Sequence, residues 1–231
     1  VRPFRVLMPA PAWTGNTENM FKPRESSTNR VSFVLASDDE TKHSSAIGQV
    51  VGRLANIAVN RSPGRVANGA IATNGWATNG QNYKELDGIG DLLHDAGYII
   101  YMGYPTKNGC YLNGDPSAAP LSDDYSSIRN GRVVDKASVI CYTTYIDSIL
   151  DDMEVDDNGK IPTGACLSYE SMLERAVLNQ MRDEISAFDV AIDPDQDIIS
   201  TEHMDVSAEI TPKSVLGSIK VNLSLVNPKN S

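Results

Sequence analysis

Apolar and polar positions alternate with a period of two toward the end of the chain. Over residues 203–211, Met204, Val206, Ala208 and Ile210 fall on one side, against His203, Asp205, Ser207 and Glu209 on the other. Over 219–225, Ile219, Val221, Leu223 and Leu225 oppose Lys220, Asn222 and Ser224. This period marks half-buried strands, whose apolar faces need a cover. Either the two segments close on each other as a hairpin through TPKSVLGS, or another chain supplies the cover. The pattern alone leaves both open.

Upstream, the pattern changes repeatedly. VSFVLASDD (31–39) is a short apolar run ending in Asp and predicts a buried strand. SSAIGQVVGRLANIAVN follows with Ile47, Val50, Val51, Leu54 and Ile57 at helical spacing, and Ser44 or Ser45 placed to cap it. The tandem ATNG at 72–75 and 77–80 predicts an exposed loop, because Asn-Gly pairs favour tight turns. YKELDGIGDLLHDAG reads as a helix ending at Gly97, YIIYMGY (98–104) as a second buried strand, and NGCYLNGDP as its hairpin partner. Residues 117–130 read as loop. Two longer helices are expected over Arg132–Met153 and Ser168–Arg182, followed by a strand at ISAFDVAIDP. This order predicts an α/β (mixed α+β) body with a mixed sheet flanked by helices, and C-terminal antiparallel strands able to serve as an extended arm. Three regions are expected: a partial N-terminal segment over 1–30, an inner α/β region over 31–130, and a C-terminal region over 131–231.

Composition narrows the functional classes. With 231 residues, 41% hydrophobic and 22% charged, the chain can bury a substantial core. A net charge of −10 gives no general attraction to nucleic acid or to anionic membrane surfaces. No apolar run is long enough to span a bilayer. Cys110, Cys141 and Cys166 form no C-x-x-C pair and no disulfide framework by count, which fits synthesis in a reducing cytoplasm. The opening VRPFRVLMPAPAW reads like the middle of a protein, so a missing natural N-terminus is expected.

The motif search yields no catalytic, cofactor or metal site. Aligning Gly159 with the invariant Gly of an EF-hand puts Glu154, Asp156 and Asn158 at ligand positions, but Ala165 falls where a bidentate Glu is needed and Pro162 interrupts the loop. DPDQD (193–197) lacks a following Gly and a distal Glu, so both stretches read as turns. GIGDLL (88–93) lacks a preceding strand and the third Gly of a dinucleotide fingerprint. His43, His94 and His203 are scattered. Arg53, Arg61 and Arg65 form a thin basic cluster without interleaved aromatics, expected to serve local ion pairs.

One resemblance adds to this reading. NGRVVDKASVICYTTYIDSILDDMEVDDNGKI, the helix YESMLERAVLNQM, and ISAFDVAIDPDQDIISTEHMDVSAEITPKSVLGSIKVNLSLVNP come in an order that resembles the contractile phage tail sheath family, in the variant found in Bacteroides prophages. NRSPGRVANGAI and LLHDAGYIIYMGYPTKNGCYLNGD are similar to the inner domain of such proteins. The resemblance implies a virion structural protein, assembled in the bacterial cytoplasm into the tail, with copies of itself, an inner tail tube protein and a baseplate as partners. It also implies that the terminal strand adds to a neighbour's sheet. Ile219, Val221, Leu223 and Leu225 would then pack against the neighbour, worth about 6–10 kcal/mol before the cost of ordering. Two other classes compete: an α/β enzyme using a cleft beside YIIYMGYP with Asp38 and Asp39, and a secreted binding module using the Asp-rich turns.

Overall fold

The computed structural model describes residues 3–10, 13–42, 44–86 and 88–224. In chain order the elements are β1 (Val6–Pro9), β2 (Val31–Val34), β3 (Ala36–Ser37), α1 (Ile47–Ala55), β4 (Trp76–Ala77), α2 (Gly90–Ala96), β5 (Tyr98–Ile99), β6 (Tyr101–Met102), β7 (Tyr111–Leu112), α3 (Ile128–Tyr145), α4 (Thr163–Met181), β8 (Ile185–Ala191), α5 (Ile198–Thr201) and β9 (Ser207–Pro212). The mixed α/β class expected from the sequence is the one observed.

The N-terminal half is built around a three-stranded parallel sheet in the order β1-β2-β5. β3 pairs antiparallel with β4, and β6 with β7. The apolar run YIIYMGY therefore serves two sheets. Tyr98 and Ile99 extend the parallel sheet, and Tyr101 and Met102 join β7, the hairpin partner expected from the sequence. Ile100 sits at the junction, where its N–H donates to Asn113 Oδ1 at 3.0 Å and its carbonyl accepts from the Asn113 N–H at 3.1 Å. Alternate side chains of this run enter two different cores. Ile99 and Tyr101 pack with Val34, Ala36 and Val50, whereas Tyr98 and Ile100 pack with Leu35, Leu93 and Trp13.

The tandem ATNG segment departs from expectation. Gly75, Ala77 and Thr78 are buried, because Trp76–Ala77 pairs with β3 and Gly75 lies against the Tyr101 ring, where a Cβ would overlap it. Only the second Asn-Gly forms the expected tight turn, with Gly80 at φ +87° and its N–H bonded to the Ala77 carbonyl. The turn signal was real, but sheet pairing buried the residues around it.

Helix boundaries also moved. α1 stops at Ala55, and neither serine caps it. Ser45 instead donates through Oγ to the Val34 carbonyl at 2.7 Å, tying the helix entry to β2. α2 ends as expected at Gly97, whose φ of +100° suits a residue without Cβ. α3 begins four residues before the expected start, within the segment read as loop. Ser127 accepts from the Asn130 N–H, and the carboxylate of distant Asp115 accepts from the Arg129 N–H at 2.8 Å. α3 also ends earlier, at Tyr145, passing into a short 3₁₀ turn over Ile146–Ser148.

The C-terminal half packs α3, α4 and β8 around Val133, Ala137, Ile140, Leu173, Val177, Met181, Ile185 and Phe188. Tyr145 closes one end by donating its hydroxyl to the Tyr169 carbonyl at 2.9 Å, and Lys136 pairs with Glu184 at 2.6 Å. The halves are pinned together by Asp135 on α3, which takes Arg5 Nε at 3.1 Å and Arg30 Nη1 at 3.0 Å. Gly131 makes this possible. The Arg5 guanidinium lies across its α-carbon, where any side chain would collide with it.

Candidate assembly surface

β8 and β9 form a two-stranded antiparallel sheet that pairs Ala187 through Ala191 with Thr211 back to Ser207, with a register irregularity between Ile185 and Ala187. Among the described residues no third strand joins it, so each strand has one edge of backbone N–H and C=O groups without a strand partner. Such edges are templates for another chain. One face of the sheet is anchored on α3 and α4. On β9 the face predicted from alternation is the inward one: Met204, Val206 and Ile210 are half-buried, and they line a groove of about 500 Å3 together with Cys141, Tyr142 and Tyr145 of α3. β9 itself begins only at Ser207, later than the alternation suggested.

The second alternating segment behaves differently. From Lys213 to Ser224 the chain carries no helix or strand, and every residue is exposed. The intramolecular hairpin is therefore absent among the described residues. Ile219 is 78% exposed, Val221 79% and Leu223 95%. Leu225 lies outside the described residues. Leaving such side chains in water forgoes about 1.5–3 kcal/mol each relative to full burial. At its root the segment is held by Lys213, which donates to the Asp183 carbonyl at 2.9 Å.

The remaining candidate residues do not converge. Asp39 closes its own turn, accepting from the Thr41 N–H and hydroxyl at 2.8 Å each and from the Lys42 N–H at 3.1 Å. These bonds hold its carboxyl well below the usual carboxylate range. Asp38 accepts from the Gln49 amide at 3.4 Å, and Gln49 in turn accepts from the Tyr101 hydroxyl. His94 contacts Asn113, His203 contacts Asp205 at the surface, and His43 lies outside the described residues.

The Asp-rich turns are spent on their own backbone. Asp156 accepts from the N–H groups of Lys160 and Asn158, which lowers its pKa. Asp197 caps α5, and Asp195 pairs with Lys160 at 2.6 Å. Among the described residues no three His, Cys, Asp or Glu side chains are grouped as metal ligands. No described helix is long and apolar enough to cross a membrane.

The arginine cluster requires a correction. Arg53, Arg61 and Arg65 form no ion pair among the described residues. Arg53 is spent on the carbonyls of Asn68, Gly69 and Ala70, at 2.9, 3.1 and 2.9 Å. Arg65 bonds Asn68 Oδ1 at 2.8 Å. The chain folds back on itself after α1 and presents carbonyls where sequence spacing suggested carboxylates.

Comparison with known proteins now adds to the geometry. The DUF2586 N-terminal domain matches residues 2–115, and the DUF2586 C-terminal domain matches residues 124–230. The chain belongs to the DUF2586 family. A "Putative tail sheath protein" of Haemophilus phage HP1 (strain HP1c1) is 37% identical over 101 residues, covering 39% of this chain. The match spans about a quarter of that relative's length, 26%. Two solved structures share the fold of this DUF2586 chain. One is a chain of the anti-feeding prophage baseplate, 6-fold symmetrised, with a TM-score of 0.66 and 12% identity over 96% of this chain and 60% of that one. The other belongs to the PVC sheath complex of an extracellular contractile injection system in its contracted state. There the TM-score is 0.64, with 11% identity over 97% of this chain and 64% of that one.

Proposed function

We propose that this DUF2586 chain is a structural, non-catalytic subunit of a contractile tail sheath or related injection machine. It assembles with copies of itself around an inner tube, docks on a baseplate, and contracts to drive the tube through a host envelope. Placing it in the Bacteroides prophage group of that family rests on the order of its C-terminal segments alone.

The observation that carries the reading is the pairing of an unused donor with an unused acceptor. The segment 213–224 holds Ile219, Val221 and Leu223 exposed at strand spacing, and the β8–β9 sheet offers open edges. One copy's segment adds to another copy's sheet, satisfying backbone groups on both sides. Burying those three side chains is worth about 5–9 kcal/mol before ordering the arm. The arm's root, residues 213–217, lies along the body beside Arg61 and Arg65, while Ile219, Val221 and Leu223 beyond it are exposed, so this outer part can hold neighbours together while the bodies rotate. The relatives named above, the phage protein named "Putative tail sheath protein" and chains of contractile assemblies, support the same reading.

Negative-stain electron microscopy of the intact gene product tests this, beside the Ile219→Asp/Leu223→Asp variant and a version ending at Thr211. All three side chains in the arm are exposed, so the substitutions leave the folded body untouched. Rings or tubes from the intact protein that vanish in both altered versions are expected. Assemblies that persist with the arm altered would remove the basis of the reading.

A further inference from the structure

The two halves of the chain carry different charge. Residues 1–140 hold 14 Lys/Arg and 13 Asp/Glu, whereas residues 141–231 hold 6 and 17. Within the nearly neutral half, a hollow of about 590 Å3 opens at the end of α1. Arg53, Arg61 and Arg65 line it, together with Ile57, Ala58 and Ile71. Arg61 is exposed, and among the described residues its guanidinium makes no hydrogen bond or ion pair. The hollow thus combines an apolar lining with guanidinium groups that face no carboxylate, on a chain whose net charge is −10.

The acidic half carries a counterpart. After α3, the loop from Asp147 to Asp157 exposes Asp147, Asp151, Asp152, Glu154 and Asp157. None of these five forms an ion pair among the described residues. Between the carboxylates stand two large apolar side chains in water: Ile149 is 61% exposed and Leu150 100%. A fully exposed leucine flanked by aspartates is the inverse of an apolar hollow rimmed by arginines. The loop does not line its own chain's hollow.

We infer that the Asp147–Asp157 loop of one copy seats in the arginine-rimmed hollow of a second copy, Leu150 entering the hollow while Asp151 and Asp152 meet Arg61 and Arg65. This deepens the reading of the chain as a self-assembling subunit and rests on it; the arm's root, residues 213–217, lines a neighbouring cavity with Arg61 and Arg65, but the loop contact uses none of Ile219, Val221 and Leu223. Hollow and loop are different surfaces, so the contact is head-to-tail, and it propagates into a ring or helix rather than closing as a dimer. Carboxylate and guanidinium also offer paired, directional hydrogen bonds, which set the register of the contact. Being formed at exposed rims, it weakens as salt rises.

A charge exchange in the full chain tests it. Arg61→Glu/Arg65→Glu and Asp151→Arg/Asp152→Arg are made separately, all four positions being exposed. Self-association is followed by sedimentation velocity at low and high salt. The unaltered chain should associate at low salt, and each variant alone should associate about tenfold or more weakly, since two attractive pairs become repulsive. An equimolar mixture should recover association, because each variant's hollow is then complementary to the other's loop. Leu150→Asp should weaken association as well, with no recovery on mixing. Variants that associate like the unaltered chain, a mixture no better than its parts, or an unaltered chain that stays monomeric at low salt would each overturn the contact. The arm reading fails separately: association lost on charge exchange and recovered on mixing, yet unaffected by Ile219→Asp/Leu223→Asp, keeps this contact and removes the arm.

Discussion

Asp135→Ala should loosen the joint between the two halves. The carboxylate is only 15% exposed and accepts from Arg5, also 15% exposed, and from Arg30, which is 43% exposed. Arg30 would turn to water at little cost. Arg5 would not, because it lies across Gly131 and keeps only a 3.3 Å bond to the Asn29 carbonyl. Its guanidinium is already penalised by burial, which lowers its pKa against the opposing pull of Asp135.

A fully buried guanidinium stripped of its partner costs about 3–5 kcal/mol. Partial solvent access reduces this to about 2–3 kcal/mol, in line with the loss of one charged hydrogen bond and a weaker second. Urea denaturation would read this as a lower midpoint with an unchanged slope. In heat the same loss corresponds to about 4–12 °C for a chain of this size. The decisive comparison is Asp135→Ala in an Arg5→Ala/Arg30→Ala background, where the cost should shrink to a few tenths of a kcal/mol. An undiminished cost there would refute the pin, because Asp135 would then matter for some reason other than its arginines.

Gly75→Ala should destabilise the chain by about 1–3 kcal/mol, since its Cβ meets the Tyr101 ring inside a packed core; a midpoint within error of wild type in urea would contradict that. Leu173→Ala, at 1% exposure between α3, α4 and β8, should cost about 2–5 kcal/mol by the same assay. Alkaline titration should show coupled unfolding. Burial pushes Tyr98 and Tyr145 up to about 12, above the value of about 10 for an unfolded tyrosine. Their stabilisation is complete below pH ~10 and is lost as pH rises from there through the folded value of about 12. Tyrosinate absorbance should therefore rise together with loss of circular dichroism over that window, and Tyr145→Phe should move the loss of structure to higher pH.

Periodicity exposed most of the secondary structure but not its limits. The alternating face of Met204, Val206 and Ile210 was legible because each residue's side is fixed by the pleat alone, whereas a register irregularity between Ile185 and Ala187 breaks the alternation within ISAFDVA. The start of α3 was not legible, since it depends on Asp115, thirteen residues before Ile128 in the chain. Nor was the burial of the second ATNG, which follows from a partner strand forty residues upstream. The candidate assembly surface was half visible: alternation at Ile219, Val221 and Leu223 showed a strand's chemistry, and only the fold revealed that no described strand of their own chain pairs with them. The hollow was invisible as a site. Sequence spacing brought Arg53, Arg61 and Arg65 together but could not say that carbonyl oxygens, rather than carboxylates, would meet Arg53 and Arg65.

The run from Tyr98 to Tyr101 works as a party wall. Because successive side chains alternate between two cores, and Phe33 to Ala36 on the adjacent strand do the same, neither core can open while the other stays shut. The N-terminal half should therefore open as one cooperative unit. Its slowest-exchanging amides should be those of Leu35, bonded to the Ile99 carbonyl, and of Ile100, bonded to the Asn113 side chain. A body that must open all at once or not at all can be pulled at one end and deliver that pull at the other, with little lost to partial unfolding between.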